Sequence, residues 1–224
     1  YKELLPSNGP VKTQVVGAES PEILAQSQRV KEFMNYQITD VMEEYDPDMD
    51  SLLFYLPLAG SAFKKVYYDT TMNRALSKFI APEDLIVPYE STDSFSAERV
   101  THVLSMSKNE IKKQQLSGFY ADIELKGDSY TVDRDDIEEQ IDDIEGLKPG
   151  YKESRDHTVY EVHTILDLPG FEDTNEAGEE TGLKLPYIVT IDETTTQVLA
   201  IRRNYSEADP MKNKINYFVQ YKFL

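Results

Sequence analysis

Ala62-Phe63-Lys64-Lys65-Val66-Tyr67-Tyr68-Asp69, a turn over Thr70–Asn73, and Arg74-Ala75-Leu76-Ser77-Lys78-Phe79-Ile80-Ala81 form the stretch on which the fold class turns. Two runs rich in Val, Tyr and Phe with a short polar break between them predict a β-hairpin. Just before them, Met49, Leu52, Leu53 and Leu56 lie on one side of a helix predicted from Asp48 to Leu58. Gly60 stops that helix, because glycine takes the left-handed conformation that ends one at little cost. A helix feeding directly into a hairpin points to a mixed α+β fold.

Towards the N-terminus, Ser20 stands before Pro21 and Glu22. That is an N-cap followed by proline at the first helical position. Val30, Phe33, Met34, Ile38, Val41, Met42 and Tyr45 recur at helical spacing, predicting one amphipathic helix over 21–45 that Pro47 ends. Phe33, Met34, Ile38, Val41 and Met42 are expected to face a core shared with Phe63, Val66 and Phe79. Residues 1–20 carry Pro6, Gly9, Pro10 and Gly17 and are expected to be a loop or arm.

Towards the C-terminus, Pro82-Glu83-Asp84 leads to the short apolar run Leu85-Ile86-Val87, closed by Pro88. Val100, His102, Leu104 and Met106 alternate with Thr101, Val103 and Ser105 as a strand does. Ser107 and Glu110 then form a capping box that opens a short helix ending at Gly118. Residues 121–157 are strongly acidic, with Ile137, Ile141 and Ile144 marking a narrow apolar stripe on a short helix. Thr158–Leu168, Tyr187–Asp192, Gln197–Arg203 and Asn216–Phe223 are predicted strands, and Asp192–Thr196 is a hairpin loop. Pro169–Gly182 is polar and glycine-bearing, so it is expected to be mobile. Three regions follow: mixed α/β over 1–120, an acidic connection over 121–157, and a β-rich region over 158–224.

The 224 residues are 40% hydrophobic and 29% charged, which is compatible with a folded core. There are 15 Tyr and 9 Phe but no Trp. Tyrosine pairs an apolar ring with a polar tip and suits half-buried strands and subunit contacts. With no cysteine, disulfides, thiol catalysis and Cys-based zinc sites are excluded. No apolar run approaches the roughly 20 residues that span a bilayer. The first residue is Tyr1 and Tyr217–Leu224 reads as a strand cut in mid-course, so an internal piece of a longer polypeptide is expected. The net charge is -18, from 41 acidic and 23 basic residues, a surface that as a whole repels nucleic acid and anionic membrane.

Candidate chemistry is sparse. Asp46-Pro47-Asp48-Met49-Asp50 begins like a calcium loop, but Ser51 and Pro57 occupy the places that need glycine and glutamate. The run from Asp173 has Gly178 correctly placed and Lys184 where the last carboxylate belongs. His157 and His163 are six apart and His102 is distant, a spacing unlike that of zinc sites. There is no P-loop, no dinucleotide fingerprint and no G-x-S-x-G elbow. Lys64-Lys65, Arg202-Arg203 and Lys212/Lys214 are short basic patches expected to pair with nearby carboxylates. No catalytic, cofactor-binding or metal-ligating residue is expected. Two other classes, a metal-dependent hydrolase using the acidic clusters and a protein-binding module, stay open on residues alone.

Several long stretches resemble the portal proteins of P22-like short-tailed bacteriophages. They are QSQRVKEFMNYQITDVMEEYDPDMDSLLFYLPLAGSAFKKVYYD, RALSKFIAPEDLIVPY, AERVTHVLSMSKNEIKK, LPYIVTIDETTTQVLAIRRNY and YFVQYKFL, in that order. The resemblance implies a non-enzymatic structural subunit of a homo-oligomeric ring, usually twelve copies, at one capsid vertex of the virion. Such a ring nucleates assembly with capsid and scaffolding proteins, docks the terminase motor, binds tail adaptor proteins and lets double-stranded DNA pass without sequence-specific binding. No cofactor and no membrane are implied. Residues 1–120 would be wing, 121–157 an approach to the stem, and 158–224 clip and the return from it. On this resemblance Tyr187, Arg202, Arg203 and Tyr205 are expected to be interface residues, with Tyr160, Tyr217 and Tyr221 beside them. Tyr and Arg anchor interfaces most often.

Overall fold

Ser20 begins the first helix as its sequence requires: its hydroxyl accepts a hydrogen bond from the Ile23 N–H at 3.3 Å, and Pro21 costs nothing where the N–H would be unpaired. In the computed structural model, which describes residues 6, 9–69, 72–125, 157–174 and 178–223, this helix, α1, is Pro21–Tyr36. Over Gln37–Val41 the hydrogen bonding widens to a π-helix, and Met42 leaves helical geometry at φ -92, ψ 78. The helix predicted over 21–45 is therefore broken.

The second helix, α2 (Tyr45–Ala59), starts earlier than expected and takes Pro47 into its first turn. Proline is tolerated there because the first-turn N–H groups have no helical partner. Pro47 therefore begins a helix instead of ending one. Gly60 closes α2 at φ 76, its N–H donating to the Leu56 carbonyl at 3.0 Å.

The contacts divide the chain into two units. The first comprises residues 1–83, 93–95 and 216–224. Its sheet contains β1 (Ser61–Asp69) flanked by β2 (Arg74–Ile80) and β8 (Phe218–Lys222), all antiparallel. The expected hairpin is present, with Asn73 at φ 52 and the Asp69 carboxylate accepting from the Met72 N–H at 3.0 Å. The strand-end Phe218–Lys222 joins this sheet rather than the β-rich region. α2 packs on the sheet through buried Leu52 and through Tyr55, whose ring lies 5.4 Å from that of Phe79. Phe63, Leu76, Ile80 and Phe218 are buried in the same unit.

α1 does not contribute the core face that its spacing predicts. None of its residues is buried; Phe33 is 61% and Met34 43% exposed, and Val66 on β1 is also exposed. Among the described residues only one flank of α1 is occupied. Val11 N–H donates to Asn35 Oδ1 at 2.9 Å, Asn35 Nδ2 donates to the Val11 carbonyl at 3.1 Å, and Ser27 Oγ donates to Thr13 Oγ1 at 2.9 Å. Gly9 turns the arm onto the helix at φ 86, where a Cβ would fall 2.2 Å from Asn35 Oδ1.

The second unit comprises residues 84–92 and 96–215. Its sheet is antiparallel in the order β3 (Leu85–Ile86), β4 (Val100–Met106), β5 (His157–Leu166), β6 (Leu185–Asp192), β7 (Val198–Arg203). The helix α3 (Lys108–Leu116) begins with the predicted capping box: Ser107 Oγ accepts from the Glu110 N–H at 3.3 Å, and the Glu110 carboxylate accepts from the Ser107 N–H at 2.8 Å. One face of the sheet carries the buried cluster Ile111, Tyr120, Val159 and Leu199. The acidic helix expected around Ile137–Ile144 lies outside the described residues. Among the described residues no helix is long and apolar enough to cross a membrane.

Candidate interaction surface

Strands send alternate residues to opposite faces, so neighbours in sequence part company. Tyr187 on β6 stands opposite Arg203 on β7, and Ile188 stands opposite Arg202. Tyr187 and Arg203 thus share one face, and Tyr205 packs against the buried cluster Leu185, Tyr187 and Val189 on that side. Arg202 belongs to the other face. Its guanidinium lies 3.1 Å from the Phe119 ring centroid and donates to the Phe119 carbonyl at 3.4 Å. Three of the four expected interface residues are brought together, and the fourth holds the chain after α3 against β7. The Ala121 N–H, donating to the Leu199 carbonyl at 2.8 Å, completes that contact.

The face bearing Tyr187 and Arg203 carries two mostly apolar cross-strand rows among polar residues such as Thr164 and Ser105. Ile86, Thr101, Val162, Val189 and Ile201 form one cross-strand row, as successive strand partners. Val103, Tyr160, Ile191 and Val198 form the next. The outer residues of these rows stay open to solvent: Ile86 is 50%, Ile201 48% and Val198 41% exposed. They sit at the two edges of the sheet, on β3 and β7, with Thr101 and Val189 buried between them.

The polar rim is internally satisfied. Arg203 pairs with Glu207, both well exposed, so the pair contributes about 0–1 kcal/mol. The Tyr187 hydroxyl donates to the Phe171 carbonyl at 3.4 Å. Burial pushes the Tyr187 phenol above its ordinary pKa, with Tyr205 adding to the effect and Arg203 opposing it. The Tyr160 hydroxyl donates to Glu193 at 2.6 Å; burial first, then this carboxylate, push its pKa up to about 12. The segment Pro169–Gly182, expected to be mobile, is tied at its described residues. Asp173 is buried, pairs with Lys212, and accepts at its carbonyl from the Thr181 N–H at 2.8 Å.

The histidines have structural surroundings. His157 Nδ1 lies 2.9 Å from Asp192 Oδ1, both buried, and Asp192 Oδ2 accepts from Thr195 N–H and Oγ1 at 2.8 and 2.7 Å. His163 Nε2 lies 2.6 Å from Glu161, and His102 stands opposite Glu161 on the next strand. His102 and His163, distant in sequence, therefore share a face with a carboxylate. Strand register was the signal that could have joined them. Among the described residues no group of three or more His, Asp or Glu side chains is placed to hold a metal ion. Asp46 and Asp48 lie in the first turn of α2, where negative charge is favoured, and Asp48 accepts from the Phe79 N–H at 2.7 Å. A shallow cleft of about 380 Å³ is walled by Lys108, Lys112, Gln115, Asp122, Glu124 and His157 among others, and sequence reasoning missed it.

Comparison with protein-family models finds none that matches this chain. Comparison with curated proteins finds none similar to it.

Proposed function

We propose that this chain is a structural part of a portal ring of a short-tailed bacteriophage, at the unique capsid vertex of the virion. It lines or supports the channel for DNA packaging and ejection and offers docking surfaces to the terminase motor and tail adaptors. The observation that carries the reading is a helix of 16 residues with no buried residue, α1, which leaves Ile23, Val30, Phe33 and Met34 in solvent. A chain that folds with so much apolar surface uncovered is a subunit, because burial against a partner supplies roughly 25 cal/mol per Å². The sequence resemblance supplies the kind of assembly.

The net charge of -18 agrees with that role. A ring multiplies it, and DNA that must slide needs a wall without tight phosphate contacts. A metal-dependent hydrolase has no observation in its favour among the described residues. Native mass spectrometry of full-length protein tests the reading: wild type should be a multimer of defined copy number and Phe33→Asp mostly monomer. A wild-type monomer under all assembly conditions overturns it.

A further inference from the structure

Lys64 lies in the middle of β1, is 2% exposed, and has no hydrogen-bond partner at Nζ among the described residues. Its partners across the sheet are Phe79 on β2 and Val219 on β8, so it stands on the face that α2 covers. The surrounding groups come from every element packed there. α2 and its cap bring Glu44, Tyr45 and Asp48, and the Tyr45 ring centroid is 4.2 Å from Nζ. The start of β2 brings Arg74, which holds Glu44 Oε2 at 2.8 Å, and β8 places Tyr221 on the same face as Lys64.

Neither carboxylate bonds the amine. Asp48 Oδ2 is taken by the Phe79 N–H at 2.7 Å, and Glu44 Oε1 is itself buried without a partner. A buried ammonium lacking hydrogen bonds is costly, and the neutral amine costs far less. Burial therefore lowers the Lys64 pKa, and Asp48 and Glu44 oppose the shift without cancelling it.

We infer that Lys64 is a proton-controlled pin, so that seating of α2 on the three-stranded sheet is linked to loss of the Lys64 proton. At pH between the depressed value and 10.5, one proton passes from Nζ to solvent when α2 closes and returns when its first turn opens. The folded pKa lies below the unfolded one, so the opened chain binds more protons. Stability of the contact rises with pH from the depressed value towards 10.5 and is lost as pH falls through the depressed value.

The test is an NMR titration of the 224-residue chain labelled with ¹⁵N-lysine, read together with amide exchange in α2. One ε-amine should titrate below the others and vanish in Lys64→Met, and the pH dependence of α2 protection should flatten in that variant. Tyr45→Leu and Glu44→Gln should move the same midpoint further down, since each removes an attraction to the charged form. Should Lys64→Met not fold, through-bond assignment of the Lys64 resonance in wild type and Tyr45→Leu gives the same decision. Titration of Lys64 together with the exposed lysines, or a midpoint that Tyr45→Leu leaves in place, overturns the inference.

Discussion

Tyr187 and Arg203 stand opposite each other across the β6–β7 hairpin, while Arg202, one residue away, turns to the far face and stacks on Phe119. Adjacent arginines thus have separate surroundings, and the two can be told apart by experiment. Arg202→Glu should lower stability by about 1–2 kcal/mol, because it removes a stacked cation and places a carboxylate on an aromatic face. Arg203→Glu should change stability by under roughly 0.5 kcal/mol, since only an exposed ion pair is lost. Urea unfolding followed by circular dichroism reads both, and equal losses would contradict the division. Arg203→Glu should instead weaken ring formation or adaptor binding in the full-length protein.

Phe33→Ala should cost the isolated chain under about 0.5 kcal/mol, because the side chain is 61% exposed. Leu52→Ala, which empties a buried place under α2, should cost about 2–5 kcal/mol. The contrast is measured by thermal unfolding of the two variants side by side. A Phe33 loss as large as that of Leu52 would mean that α1 is packed in solution.

Much of this was legible in the sequence, because local rules govern it. Ser20, the Ser107/Glu110 box, Gly60 and the Thr70–Asn73 turn mark element ends by chemistry acting within a few residues. The course of α1 was not, because helical periodicity says which residues share a face and not whether anything covers it. Phe33 and Met34 fit the pattern of a core and lie in solvent. Pro47 misled for a similar reason: proline removes a helical hydrogen bond from a helix interior but is harmless in a first turn. The candidate surface depended on register. That Tyr187 and Arg203 share a face that Arg202 does not follows only from strand partners far apart in sequence, and that Lys64 would be buried beside Tyr45 follows only from how α2 packs on β1.

Alkaline titration should separate the tyrosines. Tyr120 and Tyr160 each have a pKa of about 12, the first through burial and then Glu161, the second through burial and then Glu193. Both folded values lie above the unfolded value, so their contribution is full below about pH 10 and is lost as pH rises through about 12. Tyrosinate absorbance should show late-ionising groups, with one fewer in Tyr160→Phe because Tyr120 remains. Ionisation of all tyrosines together, before unfolding, would contradict the Tyr160–Glu193 bond.

Asp192 joins three groups, His157, the Thr195 N–H and the Thr195 hydroxyl. Asp192→Ala should therefore cost about 1–3 kcal/mol or more, because it leaves buried partners unpaired. Thr195→Ala should cost less, since His157 keeps its partner. Denaturant unfolding ranks the two, and a neutral Asp192→Ala would show the pair to be incidental.

Electron microscopy of the full-length protein tests the central claim most directly. A portal subunit should assemble into closed rings with a central hole wide enough for duplex DNA, and Phe33→Asp should reduce their number. Monodisperse single particles without rings, under conditions where the protein is folded, would contradict the account.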